Sequence, residues 1–226
     1  MTALWKQLQR VQVIHARGTP TSGKSILARL LEEHVKRVRP DMLVYLFNWP
    51  ASVEGFEYSN YYHLLNKITK EPKTRSDTWL KRQNTLIIVD EAQRSYKFLN
   101  FWDEFIKPLA SHDEISPFVI IFSSYGSPSE APVASSGGSA PVELTTDQRV
   151  SIQRLSYTNS SVSLYFTRDE FDDVIARSCR YYSEQDGNPF LPSLELLQYI
   201  WEFTNGHPGG VRAVLDMLIQ SEVSIS

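Results

Sequence analysis

The chain has 226 residues, 42% of them hydrophobic and 22% charged, with 23 Lys and Arg against 26 Asp and Glu and a formal net charge of -3. A chain of this length buries roughly 70% of its unfolded surface without external staples, and its charge balance excludes a uniformly basic protein that coats nucleic acid. The single cysteine, Cys179, excludes an internal disulfide and a four-thiolate zinc site. No apolar run reaches the roughly 18 to 20 residues that span a bilayer, and the first ten residues lack the apolar stretch of a secretory signal. A soluble, intracellular chain with no membrane partner is expected.

Five short apolar runs read as strands: residues 11–16, 42–47, 86–89, 118–122 and 162–166. Continuous apolarity without alternation is the pattern of strands covered on both faces. After the first run, Ile26, Leu27, Leu30, Leu31, His34 and Val35 follow the spacing of a helix with one buried face. After the third, Phe98, Phe101, Trp102, Phe105, Ile106 and Leu109 do the same. Strands alternating with helices predict an α/β fold of three layers, a five-stranded parallel sheet between helices with the first strand central.

The stretch 126–146 is dominated by Ser, Pro, Gly and Ala and reads as a mobile loop. Thr167 and Glu170 then stand three apart ahead of Phe171, Val174 and Ile175, the spacing of a capping box that opens a helix. A helical hairpin closes the sequence. Residues 194–203 form its first helix, Gly206 ends that helix, and Pro208 opens a second that runs to about Gln220. The expected division is a core over 1–166 and a small helical lid over 167–226.

Gly18, Thr19, Pro20, Thr21, Ser22, Gly23, Lys24 and Ser25 spell G-x-x-x-x-G-K-S between the first strand and the first helix. Glycines let a backbone wrap a phosphate with its N–H groups turned inward, and the helix N-terminus, continuing through Ile26, adds positive potential. In this pattern Lys24 reaches the β- and γ-phosphates and the Ser25 hydroxyl ligates Mg²⁺. The alternative is an ordinary glycine-containing turn.

The third strand ends in Asp90 and Glu91. A carboxylate at the carboxyl end of a strand beside a phosphate loop can hold a Mg²⁺ hydration shell, the role expected of Asp90. Glu91 would orient or deprotonate an attacking water. A solvated acidic turn is the alternative. Ser123 and Ser124, at the tip of the fourth strand, are candidates to touch the γ-phosphate or the attacking water, against a serine-rich turn that merely leaves the sheet.

Gly206, His207, Pro208, Gly209, Gly210, Val211 and Arg212 place glycines in the first turn of a helix, where each costs about 0.5–1 kcal/mol relative to Ala. A close visitor would explain them. A nucleotide base or ribose at His207 and Pro208 is one such visitor, and close packing of the hairpin explains the glycines equally well. Arg212 reads more readily as a surface residue than as a phosphate contact. Arg149 and Arg154 are weaker candidates for sensing phosphate. The aromatic cluster Phe56, Tyr58, Tyr61 and Tyr62 reads as core. Lys67, Lys70, Lys73, Arg75, Lys81 and Arg82 read as a solvated basic face rather than a nucleic-acid site.

The phosphate loop, LIIVDEAQRSY at 86–96, IIFSSYGSPS at 120–129, QRVSI at 148–152, YFTRDEFDDVI at 165–175 and TNGHPGGV at 204–211 together resemble the NTPase domain of Crinkler-type effector and effector-like proteins of oomycetes and fungi. The resemblance covers residues 11–221. More distantly, the chain is similar to signal-transducing and AAA-type ATPases, whose lid carries a G-x-P element like Gly206, His207 and Pro208.

The resemblance implies a P-loop NTPase of the ASCE type. It hydrolyses ATP, or with lower expectation GTP, with Mg²⁺, through Lys24, Ser25, Asp90 and Glu91. No N-K-x-D base-reading element is present, which favours adenine. The resemblance also implies a module of a longer protein that is secreted and acts in a host nucleus, meeting nucleic acid only through a nuclease-like domain outside this segment. The rival reading is a nucleotide-dependent switch or self-association module with negligible hydrolysis. A nucleic-acid-stimulated motor is a third.

Overall fold

The computed structural model describes residues 1–51, 65, 84–112, 117–124, 142–150, 162–186 and 192–223. The aromatic cluster at 56–62, the basic residues from Lys67 to Arg82, the loop positions 126–141 and Arg154 lie outside these residues. By their contacts the described residues fall into two units, Met1–Pro20 with Lys24–Val162 and Thr21–Gly23 with Ser163–Ser226.

The first unit is an α/β sheet structure. Strands β1 (Val13–Gly18), β2 (Leu43–Asn48), β3 (Thr85–Asp90), β4 (Phe118–Ser124) and β5 (Arg149–Val150) lie in the order β2-β3-β4-β1-β5. Every pairing is parallel. The fourth strand, not the first, is therefore central, and β1 stands next to the edge.

Pleating divides the buried residues between two faces. Val13, Ile87, Val89, Val119 and Ile121 pack into one cluster with Trp49, Phe98, Phe101, Trp102 and Phe105. The alternate residues Ile14, Ala16, Leu86, Ile88, Ile120 and Phe122 are buried as well. On their side α2 (Lys24–Val38) runs against β2, β3 and β4. Helices on both faces suit a three-layer arrangement, as expected of apolar strands joined by crossovers.

Several elements depart from expectation. Residues 2–11 form α1 (Thr2–Val11), which buries Leu4, Trp5, Leu8 and Val11. This spacing is helical, and it takes Val11 out of the strand to which its apolarity assigned it. Gln12, at φ 60, makes the turn from α1 into β1. On α2 the buried side is Ala28, Leu31, His34 and Val35, whereas Ile26 and Leu30 are exposed, so the inward face is rotated from the one the large apolar residues suggest.

The run that begins near Phe98 contains a π-helical segment, Phe101–Ile106, which continues into α3 (Lys107–Ala110). Pro108 explains it. Proline has no N–H for the Glu104 carbonyl and its ring crowds that carbonyl. The preceding turn widens so that the Lys107 N–H reaches back to the Trp102 carbonyl.

The fifth strand was expected at 162–166 and is instead Arg149–Val150. Two residues, one exposed and one buried, carry no periodicity to read. Residues 142–146 close the stretch expected as a mobile loop, and they bury Val142 and Leu144 in the aromatic cluster.

In the second unit, the Thr167 hydroxyl accepts from the Glu170 N–H at 3.3 Å while the Glu170 carboxylate accepts from the Thr167 N–H at 2.8 Å. This is the expected capping box, and it opens α4 (Arg168–Asp186). Helices α5 (Leu194–Thr204) and α6 (Pro208–Val223) form the expected hairpin. Phe171 and Ile175 of α4 pack with Ile200, Val211 and Leu215 of the hairpin as the buried centre of this unit. Residues 163–166 join this unit, where the Phe166 N–H donates to the Gly206 carbonyl. No helix among the described residues is long and apolar enough to cross a membrane.

Candidate functional site

The loop between β1 and α2 holds two left-handed residues, Thr21 at φ 59 and Gly23 at φ 87. For threonine this conformation costs roughly 1–2 kcal/mol, so the rest of the loop must hold it in place. Alternation of right- and left-handed residues turns successive N–H groups toward one side, which makes an anion-binding concavity. Lys24, the first residue of α2, folds back over the loop. Its Nζ donates to the Thr19 carbonyl at 2.6 Å and the Gly18 carbonyl at 3.2 Å. Burial pushes the pKa of this ammonium below its usual value, and the negative charges of Asp90 and Glu91 pull it part of the way back. Desolvation leaves this cation with more to gain from an anionic partner than an exposed lysine has, while the two carboxylates oppose an incoming anion unless a cation screens them. Ser22 is buried, while Ser25 and Ile26 are exposed in the first turn of α2.

Asp90 closes β3 and is buried, and its Oδ1 accepts the Glu91 N–H at 2.8 Å. Glu91 is itself left-handed, at φ 55 and ψ 29. That turn breaks the strand at once and starts a 3₁₀ turn, Ala92–Ser95. The turn is pinned from below. The Ser95 hydroxyl donates to the Ala92 carbonyl at 2.6 Å, and the Trp102 indole N–H donates to Ser95.

The strand ends meet in register. β4 runs beside β1 as far as Gly18 opposite Ser124, and beside β3 as far as Val89 opposite Ile121. The structure thus brings the start of the phosphate-type loop, the acidic pair and the tip of β4 together at the carboxyl edge of one sheet, where α/β folds place ligands. These hard oxygen donors, few in number, fit a Mg²⁺ ion that is held by one or two side chains and its substrate's phosphates rather than by an all-protein cage. Among the described residues no group of three or more His, Cys, Asp or Glu able to hold a metal occurs.

Ser123 lies opposite Arg17, fully buried, with its Oγ 2.7 Å from His15 Nε2 and accepting from the Tyr96 hydroxyl at 3.0 Å. Any contact between this hydroxyl and a phosphate must compete with two buried bonds. Burial, reinforced by the charges of Arg17 and Arg149, drives His15 down to about 3, so the imidazole is neutral. Sequence reasoning passed over His15, a polar residue within an apolar strand.

In the second unit the His207 ring lies edge-on to Tyr165, and its Nδ1 accepts the Gly210 N–H at 3.0 Å, capping α6. Its neighbour Pro208 lies within van der Waals reach of where a Cβ on Gly23 would stand. The close visitor to Gly209 is Thr21. The Gly209 N–H donates to the Thr21 carbonyl at 3.1 Å, and a Cβ on Gly209 would stand 2.8 Å from that carbonyl oxygen. Arg212 is engaged along its own helix with Asp216 at 2.8 Å. Arg149 is exposed on β5. The chain matches no protein-family model, no curated protein and no solved structure.

Proposed function

We propose that the chain is a Mg²⁺-dependent nucleoside triphosphatase, with ATP preferred to GTP, built as a P-loop NTPase of the ASCE type and related to the Crinkler NTPase domain. The observation that carries this reading is Lys24, buried and lodged on the Gly18 and Thr19 carbonyls of a loop with two left-handed residues, within the field of Asp90 and Glu91. An incoming triphosphate would exchange neutral carbonyl partners for charged phosphate oxygens, a stronger class of bond. The backbone N–H groups from Thr21 to Ile26 would hold the β-phosphate, with Thr19 and Pro20, which lacks an N–H, shaping the loop around it. Ser25 and Asp90 would hold Mg²⁺, which when bound neutralises charge on the β- and γ-phosphates. Glu91 would orient the water for in-line attack. The order of the strands supports the same reading, because β4 separates the loop strand from the acidic strand.

Isothermal titration with ATP and Mg²⁺ tests the reading. The wild-type chain should bind, and Lys24→Ala should weaken binding by roughly a hundredfold or more, since a charge-assisted bond is lost from a desolvated site. Equal affinities would overturn the assignment. Tight binding without phosphate release would favour the switch reading over the hydrolase.

A further inference from the structure

Glu91 does not stand alone at the end of β3. The Gln93 side chain is 6% exposed and both ends of its amide are engaged: Nε2 donates to Glu91 Oε2 at 2.6 Å, and Oε1 accepts the Ser124 N–H at 3.1 Å. Through this one amide the carboxylate is tied to the tip of β4. Ser124 is in turn the register partner of Gly18, the first residue of the phosphate-type loop. The β3–β4 ladder stops at Val89 and Ile121, so the backbone alone does not make this connection.

We propose that Gln93 is a positioning residue for Glu91, setting its carboxylate against the end of β1 through Ser124. This rests on the reading of Glu91 as the group that orients water. The left-handed backbone of Glu91 throws its side chain off the strand direction, and the pinned 3₁₀ turn returns Gln93 beneath it. Arg94 approaches the same oxygen, 4.0 Å from Oε2, and itself donates to the Trp49 carbonyl at 3.2 Å. Among the described residues no donor reaches Oε1, so the two neighbours fix one oxygen and leave the other to face a reactant. Because the amide is buried and satisfied at both ends, it has one low-energy orientation.

Two variants separate the ends of the amide. Gln93→Met keeps volume and removes both bonds, whereas Gln93→Glu keeps an acceptor for Ser124 and loses the donor to Glu91. Both should lower kcat by roughly tenfold or more while KM for Mg²⁺-ATP stays within about threefold. In a Glu91→Gln background Gln93→Met should add nothing further, because the group it positions is gone. Wild-type turnover in Gln93→Met, or additive losses in the double variant, would overturn the proposal.

Nitrogen-15 NMR on the full chain judges the clamp separately from hydrolysis. Gln93→Met should abolish slow exchange of the Ser124 N–H, and Glu91→Gln should move the Gln93 side-chain amide resonances. If exchange and resonances both stay unchanged, the clamp is absent whether or not the chain turns over nucleotide. If they respond while the wild-type chain releases no phosphate, the clamp stands and the hydrolase reading falls.

Discussion

His15 makes acid stability a test of the polar contacts behind the site. Its pKa is about 3 in the folded chain against 6.5 for the free side chain, through burial first and then the charges of Arg17 and Arg149. The folded imidazole is neutral, so below pH 6.5 the unfolded chain takes up a proton that the folded one refuses. Stability therefore falls with pH, by about 1.4 kcal/mol per unit. Between pH 7 and pH 5 the loss is about 2 kcal/mol, and by pH 3, where the folded imidazole begins to take up its own proton, it is about 4 kcal/mol. The perturbation is His15→Gln, which retains hydrogen-bonding capacity toward Ser123 and cannot be protonated. Urea unfolding read by tryptophan fluorescence at pH 7 and pH 5 gives four values of stability. Both proteins share the acid losses of every other group, including His34, Asp41 and Asp216, whose values also sit below the ordinary range. The wild-type loss should exceed that of His15→Gln by about 2 kcal/mol. Equal losses would show that His15 is charged or solvent-reached, and the buried Tyr96–Ser123–His15 contact would not hold.

Two further substitutions address the site directly. Glu91→Gln should bind Mg²⁺-ATP as the wild type does and release phosphate roughly tenfold slower or worse, measured by a coupled phosphate assay, and unchanged turnover would assign the water to another group. Gly209→Ala places a Cβ against the Thr21 side chain and carbonyl, and should destabilise the chain by about 1–3 kcal/mol. An unchanged urea midpoint would mean that Thr21 yields freely.

How much of this was legible in the sequence depended on the range of the interaction concerned. The passage from strand to helix across residues 18–24, the capping box of Thr167 and Glu170, and the Pro208 helix start are local patterns, and the structure places each element boundary where its spacing predicts. α1 carries its signal in the helical spacing of Leu4, Trp5, Leu8 and Val11, which contains no continuous apolar run. β5 was not legible. Its two residues owe their strand conformation to pairing with His15 and Ala16, a contact more than a hundred positions distant in sequence. The rotated face of α2 has the same origin, because Ile26 and Leu30 are as apolar as the residues that packing selects.

The tip of β4 shows what separates neighbouring residues that composition treats alike. Ser123 and Ser124 are adjacent and chemically identical, and the pleat sends their side chains to opposite faces. Ser123 falls on the aromatic side, where His15 and Tyr96 claim its hydroxyl. Ser124 contributes its main-chain N–H, a group every residue but proline possesses, to Gln93. A search for polar side chains at a strand end finds the first serine and cannot find the second contact, because the second contact is made by the backbone. The glutamine that receives it was visible only as one letter after the acidic pair. Its importance comes from the left-handed turn at Glu91, which brings a side chain two positions later back across the strand it follows. If the chemistry at this edge depends on how Glu91 is held, it depends on that turn. Substitutions at Gln93 should then change the rate at which bound nucleotide reacts and leave the affinity of Lys24 and its loop for nucleotide as it was.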